Sequence, residues 1–265
     1  MKIKFFILFI PLIISSLAYS QQRWTTSKEM LELKAYTSIE EALPDSVNVQ
    51  VLYLSYMGLT EIPKEVFKFR NLKYLSLDWN YIQYLPADFA KLKNLEYLDL
   101  SFNPRIELRQ VILILKNLQN LRSLSLSGNM IYKLPKEIGL LTTVQLLALE
   151  DNLIYGLPAE FGNMKGLRKV FLSRNKISAL PPEIGNLRNL QSLNLSENQI
   201  QTLPNEIGKL WNLTELNLSS NQLNYMPYHI VELRKLQLLD VRNNPELKSE
   251  KYKLKTLLPK VKIKY

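Results

Sequence analysis

The sequence predicts an α/β repeat solenoid: a coil with a parallel sheet on its concave side and short helical or extended segments on its convex side. Three observations carry this prediction. First, the pattern LxxLxLxxN recurs at steps of 23 residues from Asn80 to Asn244, with one step of 26 between Asn103 and Asn129. Second, the LxL centre alternates with period 2, so each copy supplies a short strand with its Leu side chains turned inward. Third, only about 15 residues return the chain to its next strand, too few for a long helix. Consecutive strands would then lie about 4.8 Å apart in a parallel sheet. No copy can bury its Leu set alone; stacking of copies does so.

At the amino terminus, Lys2 and Lys4 precede the apolar run FFILFIPLIISSLA, followed by Ala18, Tyr19, Ser20 and Gln21. This is the layout of a signal peptide over residues 1–20, cut after Ser20. The run is shorter than the roughly 20 residues that span a bilayer, and Pro11 interrupts it. Gln21 stands where a bacterial lipoprotein would need Cys. The expectation is an exported chain, secreted, periplasmic or on the cell surface, without a transmembrane helix once cleaved. The absence of Cys in an exported chain favours a bacterial source.

Residues 21–46 are expected to cap the stack, with Ser38-Ile39-Glu40-Glu41 as a capping box opening a short helix through Leu43. The solenoid proper occupies residues 47–247. Its first copy is degenerate, Val49/Leu52/Leu54 with Met57 in the Asn place. Full copies follow, beginning with Leu72/Leu75/Leu77/Asn80 and ending with Leu236/Leu239/Val241/Asn244, roughly nine in all. The Asn column is placed to hydrogen-bond loop backbone of adjacent coils. Leu-Pro pairs, from Leu85-Pro86 to Leu203-Pro204, impose extended or turn geometry. The unit after Asn103 lacks Leu-Pro, is three residues longer and has the apolar spacing of a helix. Residues 248–265 form a lysine-rich cap, with a helix over roughly 249–257 and a final strand in a truncated copy, Leu258/Val261/Ile263.

The fuller unit, NQIQTLPNEIGKLWNLTELNLSSN from Asn198, resembles the leucine-rich-repeat family, in its 23-residue subclass with an LPxxIGxL second half. That subclass is found in exported bacterial proteins and in intracellular Ras-pathway scaffolds, and the match runs from about Val47 to the carboxyl terminus. The resemblance implies a right-handed horseshoe that binds a protein or peptide on its concave face and does not catalyse. A glycan or cell-wall binder using the same face, and an intracellular-type signalling scaffold, are the alternatives.

The residue inventory agrees with binding. With no Cys and a single His, thiolate and multi-histidine metal sites are excluded. No catalytic, metal or cofactor residues are assigned. His229 occupies a turn slot held elsewhere by Glu65, Asp88, Glu137 or Glu160, so it reads as a repeat variant. Glu150/Asp151 has no companion base, and Gly139, Gly162, Gly185 and Gly208 are repeat positions and not a phosphate loop.

If the Leu residues point inward, the intervening residues face a partner. In the first three coils these positions hold Tyr53, Tyr56, Tyr74, Trp79, Tyr97 and Phe102, flanked by Asp78 and Asp99. The expectation is an exposed platform of aromatic anchors. Lys169 and Arg174, beside Phe171, supply a second, cationic contact. A monomer is expected.

The formal charge of +10 falls to +8 without Lys2 and Lys4, and residues 248–265 carry seven Lys against Glu250, or +6. Residues 21–247 therefore hold 8 − 6 = +2. The sequence thus reads as a near-neutral solenoid with a lysine-rich cap, a solvated end or, as the alternative, a weak contact with an anionic envelope surface, and nucleic acid is not expected as a partner.

Overall fold

A computed structural model describes residues 32–265. The signal peptide and the cleavage site before Gln21 lie outside the described residues. Tyr36–Tyr265 forms one compact unit, the solenoid.

Strand β1 is Ala35–Tyr36, β2 Val51–Tyr53, β3 Tyr74–Ser76, β4 Tyr97–Asp99, β5 Ser123–Ser125 and β6 Leu146–Ala148. They are followed by β7 Lys169–Phe171, β8 Ser192–Asn194, β9 Glu215–Asn217, β10 Leu238–Asp240 and β11 Lys262–Lys264. The eleven strands lie in sequence order in one sheet, and every ladder from β2 to β11 is parallel. Register follows the repeat: Leu52 pairs with Leu75, Leu75 with Leu98, and Leu98 with Leu124. These Leu side chains are almost wholly buried. Each contributes about 1.5–3 kcal/mol relative to exposure.

After each Leu-Pro the chain makes a five-residue 3-10 turn, such as Lys136–Leu140, Ala159–Asn163 and Asn205–Lys209. Pro135 holds φ −70°, ψ 152°, extended backbone that its ring prefers, just before such a turn. A glycine in the turn then allows close stacking. A Cβ on Gly139 would lie 2.4 Å from the carbonyl oxygen of Glu160, and on Gly162 equally close to that of Glu183.

The unit after Asn103 forms helix α2, Leu108–Leu115, following the short α1, Ile39–Ala42. Leu108, Val111, Ile112 and Leu115 are its buried residues, at the i, i+3, i+4, i+7 spacing of one helical face. The helix takes the place of a 3-10 turn in the stack, and Gln110 fastens it to the preceding coil: its amide donates to the Leu85 carbonyl at 2.7 Å, and its Oε1 accepts from the Leu85 N–H at 3.0 Å. At α1, the Ser38 hydroxyl accepts from the Glu41 N–H at 3.1 Å.

Helix α3, Lys251–Leu257, precedes β11. Here the register departs from the sequence alignment, because Leu239 pairs with Ile263 and not with Val261. A two-residue shift keeps the same side chains inward, so the period-2 pattern cannot distinguish the two registers. Leu258 serves instead as a buried residue of the closing segment.

Candidate binding face

The Asn column sets the edge of this face. Asn152 is buried; its amide donates to the carbonyls of Leu126, Leu149 and Glu150 at 2.9–3.1 Å. Its Oδ1 accepts from the N–H groups of Asn129 and Ile131, both at 3.0 Å. One side chain thus satisfies five backbone groups in two coils, groups that would be costly to bury unpaired. The residue before each Asn must then turn sharply. Tyr56, Trp79, Phe102, Asp151, Arg174, Glu197, Ser220 and Asn243 all have φ between 53° and 59°. This left-handed conformation costs a non-glycine residue roughly 1–2 kcal/mol. From Tyr56 to Ser220 it is held because the N–H reaches the next coil, as Trp79 does to the Ser101 carbonyl at 3.0 Å.

The six predicted aromatic residues fall into two columns. On the strands, Tyr53 and Tyr74 meet edge to face at 5.4 Å, and Tyr74 stacks on Tyr97 at 5.8 Å. On the left-handed turns, Tyr56 stacks on Trp79 at 5.3 Å and Trp79 on Phe102 at 4.1 Å, with planes 11° and 12° apart. The expected platform of six exposed rings is corrected: Tyr53 and Tyr74 are buried, at 8% and 3% exposure. Tyr56 and Trp79 remain open at 40% and 44%, with Tyr97 and Phe102 half-buried. The turn column ends at Gly128, also left-handed, where a Cβ would lie 2.3 Å from the Phe102 ring. The missing side chain of Gly128 is what makes room for Phe102.

Beneath the rings lies an acidic, hydroxyl-rich cluster. The Ser55 and Ser76 hydroxyls both donate to Asp78 Oδ1, and Asp99 accepts from the Ser101 N–H at 2.9 Å. Burial, reinforced by the charge of Asp78, pushes the Asp99 carboxyl up to about 7 against the pull of hydrogen bonds from Ser101 and Ser125. Burial also raises Tyr74 well above its ordinary value, with Asp99 adding to it.

The second predicted contact is divided by the structure. Arg174 forms a bidentate pair with Asp151, one arm at 2.7 Å, and this hydrogen bonding raises its pKa further. Its charge is therefore largely neutralised within the turn column. Lys169 and Phe171 are half-buried on β7. Phe171 borders a hollow of about 260 Å³ that also involves Asn194, Glu215, Asn217, Asp240 and Arg242. Sequence reasoning missed this hollow, because it depends on side chains of the strands from β7 to β11 lying side by side. At its far end Asp240 is buried, which raises its pKa, but Arg242 at 2.6 Å and Lys264 at 3.8 Å outweigh burial and leave it below the ordinary value. The exposed Tyr81, Tyr84, Tyr132 and Tyr155, on the segments following the Asn column, were also missed. His229 is half-buried in its turn, and its Nδ1 has no hydrogen-bond partner.

Among the described residues, no cluster of three or more metal-ligating side chains occurs, and no helix is long and apolar enough to cross a membrane. No curated protein matches the sequence. Among solved structures, a leucine-rich-repeat protein of Leptospira interrogans is 23% identical at a TM-score of 0.54, covering 88% of this chain and 100% of its own. An internalin of Listeria monocytogenes is 20% identical at a TM-score of 0.54, with 79% of this chain and 65% of its own covered. The ectodomain of a plant receptor kinase of Arabidopsis thaliana, in complex with Casparian strip integrity factor 2, is 30% identical at a TM-score of 0.52. That match covers 74% of this chain and 27% of the receptor. The fold recurs in 503 solved chains, so architecture alone selects no ligand. A sequence profile for a leucine-rich repeat region matches residues 109–194 and 160–257, and one for leucine rich repeats matches residues 47–104. With its register-matched Leu strands, buried Asn column and profile matches over more than half its length, the chain belongs to the leucine-rich-repeat family.

Proposed function

We propose that the protein is a non-enzymatic scaffold that binds a protein or peptide partner on the solvent face of its sheet. The observation that carries this reading is the stacked column Tyr56–Trp79–Phe102. Its rings are locked by each other and by left-handed backbone, yet two of them are about 40% exposed. Rings ordered before binding lose little entropy on contact, which is what an interface anchor needs. Tyr97 extends the platform, and Tyr53 and Tyr74 support it from below. Phe171 offers a second contact at the hollow, with Lys169 beside it on β7, while Arg174 acts mainly to hold Asp151. The plant receptor ectodomain found with its factor, and a second plant peptide hormone receptor found in complex with RGF2 (28% identical, TM-score 0.50), support a peptide partner.

The protein is exported by the signal peptide of residues 1–20. Recovery of the chain outside the cytoplasm with Gln21 at its amino terminus checks this. For the binding face, selection of the purified protein against a displayed random-peptide library should yield peptides that bind it. A Tyr56→Ala/Trp79→Ala variant should bind them at least about tenfold more weakly, a loss of about 1.4 kcal/mol. Equal binding by both forms would sink the aromatic reading.

A further inference from the structure

The near-neutral charge of residues 21–247 conceals a strong separation. The segment running from each 3-10 turn to the next strand stacks coil on coil. The amide of Asn94 donates to the Arg70 carbonyl at 3.0 Å, that of Asn189 to Lys165 at 2.9 Å, and that of Asn212 to Arg188 at 2.7 Å. Basic residues occupy corresponding places along this flank. One column holds Arg70, Lys93, Lys165, Arg188 and Arg234; its neighbours hold Lys68, Lys91 and Lys209 on one side and Lys73, Arg122 and Arg168 on the other. Lys116 and Lys235 lie alongside, making thirteen cations, and in the segments from Lys68 onward the only acids are Glu96 and Glu232. The flank carries 13 − 2 = +11, so the remainder of residues 21–247, with +2 in all, carries −9. Among the described residues, Lys91 alone of the thirteen has an ion pair, with Asp88 at 2.8 Å. Eleven of them are exposed, and Lys73 and Arg122 are half-buried. At about 4.8 Å per coil, the strip is about 34 Å long.

We propose that this flank binds an acidic polysaccharide, a chain bearing carboxylate or sulfate groups, laid along the solenoid axis. The inference is independent of the sheet-face reading. Linear charge at coil spacing meets a linear polyanion, and the middle of the strip has a place for a sugar unit. A hollow of about 450 Å³ is lined by Asn163, Lys165, Asn186, Arg188 and Asn189. The carboxamides of Asn163 and Asn186 are exposed and suit sugar hydroxyls, while Lys165 and Arg188 suit the acid groups. Beside it Arg188 lies 4.7 Å over the ring of Trp211, which is half exposed and presents an aromatic face. A bilayer is flat and takes contiguous apolar side chains, but among the described residues the large apolar residues exposed along this flank are Val47, Leu140 and Trp211, in separate coils. A single-stranded nucleic acid stacks bases on successive rings, and this flank has one.

The test uses the full chain with heparin as the acidic probe and dextran as the neutral one. Heparin should bind, weakening as salt rises, and dextran should not. A Lys165→Gln/Arg168→Gln/Arg188→Gln variant should bind heparin at least about tenfold more weakly. The Tyr56→Ala/Trp79→Ala variant should bind it as the parent does, which separates this inference from the sheet-face reading. Heparin should also shield Lys165 and Lys93 of the unaltered protein from amine acetylation, a readout that needs no variant. Undiminished binding by a folded triple variant, or equal acetylation with and without heparin, would overturn the proposal. So would tighter binding of oligothymidylate or of phosphatidylglycerol vesicles than of heparin in the same buffer.

Discussion

Asn152 shows how much one side chain holds in this protein. It pairs with five backbone groups, and Asn152→Ala leaves them buried without partners. The expected loss is about 2–5 kcal/mol, read from urea unfolding. The neighbouring left-handed position behaves in the opposite way. Ser220 has φ 56°, where glycine is free of the steric penalty, so Ser220→Gly should be neutral or stabilising by up to about 1 kcal/mol. A loss of stability there would contradict the account of the turn. Asp99 makes the fold sensitive to pH. Its folded pKa of about 7 lies above its unfolded value, so its contribution is complete below about pH 4 and is lost as pH rises through 7. Asp99→Asn should therefore flatten the stability difference between pH 5 and pH 8, by about 2–4 kcal/mol, measured by unfolding at both. The Asn column was legible from its spacing. The left-handed turns were not, because Tyr, Trp, Glu and Ser in those places carry no local preference for positive φ.

At the scale of elements, the 3-10 turns stack only as closely as their glycines allow. With a Cβ at Gly162 only 2.4 Å from the Glu183 carbonyl oxygen, Gly162→Ala must push two coils apart. It should lower stability by about 1–3 kcal/mol in thermal unfolding, although alanine ordinarily favours a helical segment over glycine. Helix α2 was legible because its apolar spacing changed where Leu-Pro was lost. Its fastening through Gln110 was not, since that contact joins residues 25 apart across a break in the repeat. The strand of the closing segment was legible in kind but not in register.

For the molecule as a whole, stability is close to a sum over coils and their interfaces, so the ends matter most. Strand β11 covers the edge of β10, and Leu254 and Leu258 are buried in the closing segment. Deleting residues 248–265 should lower the melting temperature and promote self-association through the uncovered strand, seen by size-exclusion chromatography. An unchanged melting temperature and a monodisperse monomer would remove the capping role. Charge also has meaning only at this scale. A sum of +2 over residues 21–247 described a neutral body, whereas stacking gathers thirteen cations on one flank.

The sequence by itself determined the solenoid, the strand positions, the buried Leu and Asn columns and the break at α2. Each is written as a period, and a period needs no knowledge of neighbours. Only the tertiary structure decided which aromatic rings are sealed and which are open, where Phe102 finds room over Gly128, and which charges answer one another. Those outcomes depend on contacts between residues a full coil apart, 23 or more positions along the chain. The physical reason is that a side chain's exposure is set by what stands in the adjacent coil, and only folding puts that neighbour in place.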